Sequence, residues 1–192
     1  MSIEQFIAEN PSFIFEGDSL PFPVHKRSFK RNEIVTGMGQ TESKVYFIIS
    51  GIAEIDIFKE GFNRIIDFYF PNSFFCALTS FLLQKPSEAE IIALTDLEVE
   101  YLDHADIQKA YQTSLLANQL GRHLIEQAYL VKFQREKDFL TKTADIRYLD
   151  LMKVRPELLK LLPVHKIAEY LGIHPESLSR IRKAIIPNIR QG

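Results

Sequence analysis

The chain of 192 residues lacks the features that define several protein classes. Its one cysteine, Cys76, excludes an intrachain disulfide, a four-cysteine iron–sulfur cluster and a cysteine-rich zinc site. No apolar run is long enough for a membrane span, and the first residues show no secretory signal. With only 8 glycines and 9 prolines, the composition is not that of a collagen-like or disordered chain. We therefore expect a cytoplasmic globular protein of one large domain or two small ones.

Charge and aromatic residues divide the chain into two unlike parts. Residues 1–120 carry 9 basic and 17 acidic residues, whereas residues 121–192 carry 14 basic and 8 acidic ones, giving net charges of −8 and +6. Thirteen of the 15 phenylalanines lie in the first part. This asymmetry is typical of an effector module joined to a module that binds anions, although chance clustering explains the charges alone equally well.

The first part of the sequence has the pattern of short strands. Apolar and polar side chains alternate with the period of a half-buried strand, and turn residues such as Ser50-Gly51 and Pro71-Asn72 separate the runs. Before them we expect a short helix from Ile3 to Ala8 and a loop interrupted by prolines. Because no helical pattern intervenes, the runs predict an antiparallel sandwich or roll. The predicted strands are residues 44–49, 52–58, 65–70, 90–94 and 97–102.

From about Ser114 the apolar period becomes that of a helix. Small and aliphatic residues recur at spacings of four and three, and Leu116, Leu120 and Leu130 form a second apolar face beside them. A helix with two apolar faces needs two partners, and small residues would let the same helix of a second copy approach closely. We expect a dimerisation helix, with burial inside a single chain as the alternative. The small and aliphatic row consists of Ala117, Gly121, Leu124, Ala128 and Val131.

Residues 164–183 have the spacing of two short helices joined by a sharp turn. Ala168 is small where a second helix would cross the first. Gly172 permits the positive φ that ends a helix, and Pro175 suits the first turn of the next one. Leu178 would then face back toward the first helix. This combination predicts a helix-turn-helix.

The second of these helices would expose side chains that suit the major groove of DNA. Arg180 can donate two hydrogen bonds to guanine, and Glu176, four residues earlier on the same face, can accept one from cytosine. Arg182, Lys183 and the serine hydroxyls suit phosphates. Taken singly, Glu176 and Arg180 also fit a surface ion pair, and Glu176 also fits the helix dipole. The expected DNA-binding residues are His174, Glu176, Ser177, Ser179, Arg180, Arg182 and Lys183.

Over nearly its whole length, the chain resembles the Crp–Fnr family of bacterial transcription regulators, the cyclic AMP receptor-like proteins. Residues 44–51 resemble the strand and turn signature of the family's β-roll, and residues 71–75 resemble the approach to its ligand pocket. Glu176 and Arg180 fall on the family's base-reading pair. Residues 147–158 resemble the branch of the family that is common in Bacteroidetes.

The resemblance implies an α+β fold of three parts. Residues 1–112 would form an antiparallel β-roll of the cyclic-nucleotide-binding type and residues 113–140 the dimerisation helix. Residues 141–192 would form the helix-turn-helix domain, with too few residues left for a β-hairpin wing. The implied function is a sequence-specific regulator, not an enzyme, that binds double-stranded DNA as a homodimer on a palindromic operator. RNA polymerase is a further expected partner, and the identity of a small-molecule effector stays open.

The effector pocket departs from the family pattern. Cyclic-nucleotide binders carry Gly-Glu for the ribose where this chain has Cys76 and Ala77. They carry an arginine followed by serine or threonine for the phosphate where this chain has Ser87 and Glu88. Because burying an anion without a paired cation is costly, we expect no binding of cyclic AMP or cyclic GMP in the family's manner. The substituted pocket positions are Phe74, Phe75, Cys76, Ala77, Ser87 and Glu88.

The sequence fits two other classes of protein less well than a regulator. A cupin-like metalloenzyme needs a His-x-His pair, and no two of the five histidines are two residues apart. We expect no catalytic residue, metal site or cofactor, although His25, His104 and His123 leave haem ligation open. A module of the same fold that has lost DNA binding would expose an acidic or apolar second helix, whereas this one carries Arg180 and Lys183.

Overall fold

The computed structural model of the chain describes residues 1–14, 19–59 and 62–189. It divides into two compact units. The first comprises Met1–Phe58 and Ile66–Ala128, and the second comprises Lys59–Ile65 and Tyr129–Gly192. None of the helices within the described ranges combines the length and the apolar character that a bilayer crossing requires.

The strands and the first helices follow one another along the N-terminal two thirds of the chain, and the remaining helices follow them. The strands are β1 (His25–Phe29), β2 (Ile34–Thr36), β3 (Lys44–Ser50), β4 (Ala53–Lys59), β5 (Phe62–Tyr69), β6 (Phe74–Phe75), β7 (Ala89–Ala93) and β8 (Leu97–Asp103). The helices are α1 (Ile3–Glu9), α2 (Leu78–Leu83), α3 (His104–Tyr111), α4 (Leu115–Thr141), α5 (Ala144–Val154), α6 (Pro156–Leu161), α7 (Val164–Leu171) and α8 (Pro175–Ile189).

Two four-stranded sheets make up the β-structure, with strand orders β1-β8-β3-β6 and β2-β7-β4-β5. The ladders between β1 and β8, β3 and β8, and β4 and β7 are antiparallel. One apolar cluster, which includes Ile48, Ile91 and Val99, belongs to the strands, and another joins Phe47 to residues of the helices. The predicted α+β fold and its antiparallel strands are confirmed.

The strand β1 is not among the predicted strands, since its segment is predicted to be loop. Its burial pattern explains the difference: His25, Lys26 and Arg27 are all exposed, and only Phe29 is buried. The strand is held by its backbone ladder to β8, with His25 opposite Tyr101. Because the paired residues of the partner strand lie 68 to 76 positions away in the sequence, no local alternation of apolar residues marks this edge strand.

The first half of α4 packs into the core of its own chain. Leu116, Ala117 and Leu120 are buried, and Leu124 packs against the same cluster. Gly121 lies so close to Tyr111 that a Cβ at this position would overlap the phenol ring. Gly121 thus makes a close approach to Tyr111 of the same chain, while Gly121 and Leu124 are half-buried, so the dimer contact of Ala117, Gly121 and Leu124 stays a prediction.

The second half of α4 is different, because its apolar side chains are exposed. Ala128 is exposed, and so is Val131, at 54%. Leu130, which is predicted to share a face with Leu116 and Leu120, is exposed as well. Ala128 and Val131 thus remain candidates for a contact with another molecule.

Candidate nucleic-acid interface

The helix α7 ends in a glycine turn that starts the next helix at a sharp angle. Gly172 has φ +68°, the left-handed conformation that side chains with a Cβ disfavour. The amides of Gly172 and Ile173 donate to the carbonyls of Glu169 and Ala168, each at 3.0 Å. This pattern is the Schellman motif, and it satisfies carbonyls that the end of a helix leaves free. Helix α8 begins three residues later, at Pro175.

Four apolar side chains join α7 to α8. Ile167, Ala168 and Leu171 are buried along α7, and Leu178 is completely buried on α8. Ala168 has no exposed surface, as expected of a small residue at a helix crossing. The structure therefore contains the helix-turn-helix that the spacing predicts.

Two arginines hold the last carbonyl groups of α7. Arg135, on α4, donates from Nη2 to the Tyr170 carbonyl at 2.8 Å, and Arg147, on α5, donates from Nη2 to the Leu171 carbonyl at 3.0 Å. Both guanidinium groups also lie over the ring of Phe139, at 5.1 and 4.6 Å from its centroid. Positive charge at the C-terminus of a helix complements its dipole, so this arrangement stabilises α7 where the turn begins.

A charge network also pins the short connection between α4 and α5. Lys142 Nζ lies 3.0 Å from Asp138 Oδ1 and 2.8 Å from Asp150 Oδ2. Arg147 donates to the Lys142 carbonyl at 2.7 Å. The hydrogen bonds that Lys142 donates to Asp150 and Asp138 raise the pKa of Lys142, and the one that Asp150 accepts lowers the pKa of Asp150.

The predicted DNA-binding residues lie on or just before α8. Glu176, Arg180 and Lys183 follow one another at spacings of four and three and so share one stripe of the helix, opposite the buried Leu178. Arg182 is half-buried, because its position flanks the inward face. Exposed are His174, Glu176, Ser177, Ser179, Arg180 and Lys183.

The cationic groups on this stripe are exposed to solvent. Within the described residues, neither Arg180 nor Lys183 forms an ion pair or a side-chain hydrogen bond, and the possible pair between Glu176 and Arg180 is not formed. The guanidinium of Arg180 is therefore free to donate both of its hydrogen bonds to an outside acceptor. Such an acceptor can be a guanine edge or a phosphate.

Four of the six substituted effector-pocket positions are buried. Cys76 and Ala77 are buried, and the Ala77 amide donates to the Glu42 carboxylate at 3.4 Å. Ser87 is buried too, and its hydroxyl donates to the carbonyl of Ala89 at 2.7 Å. Phe75 is buried in the strand cluster, Phe74 packs against the other cluster, and Glu88 is exposed.

The described residues contain one group with the spacing of metal ligands, formed by His25, Asp103 and Asp106. The Lys44 ammonium lies 3.4 Å from Asp103 and so competes with a cation there. The three histidines considered as haem ligands each lie beside an aromatic ring, with ring centroids 4.9–5.2 Å apart. The neighbours are Tyr101 for His25, Phe81 for His104 and Phe13 for His123.

Sequence reasoning missed Arg135, Arg147 and Glu42. Most of their partners are backbone groups, and Ala77 lies 35 positions from Glu42, so no local spacing marks these contacts. The excess of basic residues after Leu120 was the available signal for the two arginines, and it points to anion binding and not to a helix end.

Comparisons with known proteins agree with this geometry. Residues 26–114 match the family of cyclic nucleotide-binding domains. No curated protein sequence is significantly similar to the chain. The match covers β1 to α3 and thus the two sheets that carry the substituted pocket positions.

Solved structures of bacterial regulators share the fold. FixK2 from Bradyrhizobium japonicum is 16% identical, with a TM-score of 0.72 and 86% of each chain covered. A putative transcriptional regulator of the Crp/Fnr family from Eubacterium rectale is 13% identical, with a TM-score of 0.71, covering 96% of this chain and 82% of that one. CLP from Xanthomonas campestris, described as a c-di-GMP-responsive global regulator, is 16% identical, with a TM-score of 0.67, covering 86% and 87%. These likenesses confirm the predicted fold.

Proposed function

We propose that this chain, which contains a cyclic nucleotide-binding domain and has the fold of the Crp/Fnr regulators, is a transcription regulator that binds specific DNA sequences as a homodimer. The observation that carries the proposal is the outer stripe of α8. This stripe exposes Arg180 and Lys183 to solvent, and neither residue has an ion-pair partner in the described part of the chain. The helix that carries them follows the turn at Gly172.

In this proposal the first turns of α8 enter the major groove. The residues near the N-terminus of a recognition helix contact base edges, so Glu176 and Arg180 read neighbouring base pairs. Lys183 lies about one turn further along the stripe and binds a phosphate, as do the hydroxyls of Ser177 and Ser179. His174 lies just before the helix, where it can reach the sugar-phosphate backbone, and the half-buried Arg182 contacts the backbone at the edge of the groove.

The proposed dimer contact uses the exposed half of α4. Contiguous apolar side chains on a protein surface mark interaction sites, and this helix has several of them in succession. A two-fold axis along the helix would place two recognition helices about 34 Å apart, so the operator is a palindrome whose half-sites lie one helical turn apart. The exposed apolar residues beyond the core-facing half are Ile125, Ala128, Tyr129, Leu130, Val131, Phe133, Phe139 and Leu140.

Selection of bound sequences from a random pool of double-stranded DNA tests the function. We expect enrichment of a palindrome. Fluorescence anisotropy should then give an affinity for this palindrome that exceeds the affinity for unrelated DNA by a factor on the order of 10³ or more. Arg31→Ala, which removes an exposed arginine of the first unit, serves as the matched control and should bind like the natural chain. If no sequence is enriched, the proposed function is wrong.

A further inference from the structure

A carboxylate from the loop between β2 and β3 is buried in the first unit. Glu42 is 3% exposed. Its Oε2 accepts a hydrogen bond from Thr36 Oγ1 at 2.6 Å and a longer one from the Ala77 amide at 3.4 Å, and its Oε1 accepts one from the Lys44 amide at 3.0 Å. The carboxylate thus gathers donors from three separate segments of the chain.

All three donors of this group are neutral. Within the described residues, Glu42 forms no ion pair with a lysine, arginine or histidine. A buried carboxylate without a cation is costly unless several hydrogen bonds stabilise it, and an ionised carboxylate accepts but does not donate. The three converging donors therefore form a site that is built to hold an anion.

The backbone of the same loop is fastened around this site. The Glu42 amide donates to Ser80 Oγ at 2.9 Å, and Gln84 Nε2 donates to the Glu42 carbonyl at 3.2 Å. The Gly39 amide donates to the Ser87 carbonyl, and the Ser87 amide donates to the Gln40 carbonyl, both at 2.8 Å. The loop that carries the carboxylate is therefore tied to the segment on which the substituted pocket positions lie.

The remaining space beside the carboxylate is small. A cavity of about 170 Å³ is lined by Thr36, Glu42, Tyr46 and neighbouring residues that include Arg27 and Lys44. Pockets for drug-sized ligands measure roughly 300–1,000 Å³. The cavity can therefore hold a few water molecules beside Glu42 but not a nucleotide.

We propose that Thr36, Lys44 and Ala77 form an anion-binding site that the chain fills with its own Glu42 carboxylate, so that no external cyclic nucleotide is needed for this domain to adopt its functional conformation. The consequence for DNA binding rests on the proposed function: the protein binds its operator in the absence of any added nucleotide. The class of ligand that the donors accept is a small carboxylate or a similar oxyanion.

The natural chain provides the first test. Cyclic AMP and cyclic GMP are each added to the purified protein, and its thermal unfolding is followed. We expect no change in the melting temperature, because Glu42 already occupies the donors. A ligand that binds only the folded state must raise the melting temperature, so a rise with either nucleotide overturns the proposal.

Chemical rescue provides the second test. Glu42→Ala removes the carboxylate but leaves the three donors, so acetate should raise the melting temperature of this variant by about 2–4 °C relative to chloride at the same ionic strength. The natural chain and Glu98→Ala, which removes an exposed carboxylate from β8, should show no such difference. An equal response of all three proteins overturns the proposal.

Should Glu42→Ala fail to fold, Glu42→Gln keeps the shape and removes only the charge. Hydrogen exchange of the Lys44 and Ala77 amides should then be about tenfold faster than in the natural chain, because hydrogen bonds to a charged acceptor are stronger than those to an amide. Unchanged exchange overturns the proposal. Since melting and exchange need no DNA, failure to bind an operator would count against the proposed function alone.

Discussion

Phe139 lies directly against Gly172: a Cβ at position 172 would come within 2.8 Å of the ring carbon Cε1. A larger residue at this position would therefore have to displace the ring of Phe139. The same ring lies beneath the guanidinium groups of Arg135 and Arg147, which bind the last carbonyls of α7. The geometry of the turn thus depends on residues from three helices.

Gly172→Ala should destabilise the protein through both the backbone and this contact. A left-handed conformation costs a residue with a Cβ about 1–2 kcal/mol, and the overlap with Phe139 adds to it. Gly39→Ala is the matched control, because Gly39 has φ +79° and no atom near its missing Cβ. Urea unfolding should show a larger loss for Gly172→Ala than for Gly39→Ala. Equal losses would mean that the Phe139 contact contributes nothing.

Arg180→Ala and Lys183→Ala should impair DNA binding in different ways. Removing Arg180 should cost about 1–3 kcal/mol and relax the preference at one base pair in each half-site. Removing Lys183 should weaken binding to all sequences alike and reduce the dependence of affinity on salt by about one phosphate contact. Anisotropy titrations on single-base variants of the operator, repeated at several salt concentrations, separate the two effects. An Arg180→Ala protein with unchanged base preference would contradict the proposed docking.

Gly121→Ala should weaken the fold of each chain and not the contact between chains. The added methyl group would overlap Tyr111, so the free energy of unfolding should fall at every protein concentration. Tyr111→Leu in the same chain should recover part of this loss by making room.

Val131→Asp, on the same helix, should weaken the contact between chains and not the fold of each chain. Val131 is 54% exposed, so the substitution should leave unfolding of the chain nearly unchanged while it weakens dimerisation. Sedimentation analysis over a range of concentrations measures this. A Gly121→Ala variant that folds normally but dissociates would show that Gly121 takes part in the dimer contact.

Asp150→Asn should change how stability depends on pH. The hydrogen bond from Lys142 lowers the pKa of Asp150 below its usual 3.8, so the ionised form stabilises the folded state. This contribution is present above the usual pKa and is lost as the pH falls through the lower pKa of the folded protein. The natural chain should therefore be the more stable protein at neutral pH, and the two unfolding curves should converge in strong acid. A difference in the free energy of unfolding between the two proteins that stays the same at every pH would contradict this role.

Cys76 should not react with thiol reagents in the folded protein. Burial raises the pKa of its thiol, and the nearby Glu42 raises it further, so almost no thiolate forms at neutral pH. Labelling should proceed only after unfolding, at a rate that urea increases. Rapid modification under native conditions would show that the segment around Cys76 opens readily.

Local features of the structure were predictable from the sequence, whereas long-range features were not. The helix-turn-helix depends on Ala168, Gly172 and Leu178, whose spacing within eleven residues already determines which side chains meet. By contrast, the spacing around Gly121 shows that a close approach occurs but not which partner makes it, and that partner is Tyr111 of the same chain.

The pocket illustrates the same limit. The absence of a charged residue at Ala77 and Ser87 was visible in the sequence and predicted that cyclic nucleotides do not bind in the family's manner. That Glu42 supplies a carboxylate beside Ala77 depends on a contact between residues 35 positions apart. Such contacts arise from how the two sheets pack, which no local pattern encodes.

The burial of the one cysteine has a practical consequence. Because Cys76 is shielded, a new cysteine placed on the exposed surface of α8, for example Ala184→Cys, would be the one thiol that a fluorophore or spin probe attaches to in the native protein. The parent thiol need not be removed first. Spectroscopy of such a probe would follow the recognition helix as it meets its operator.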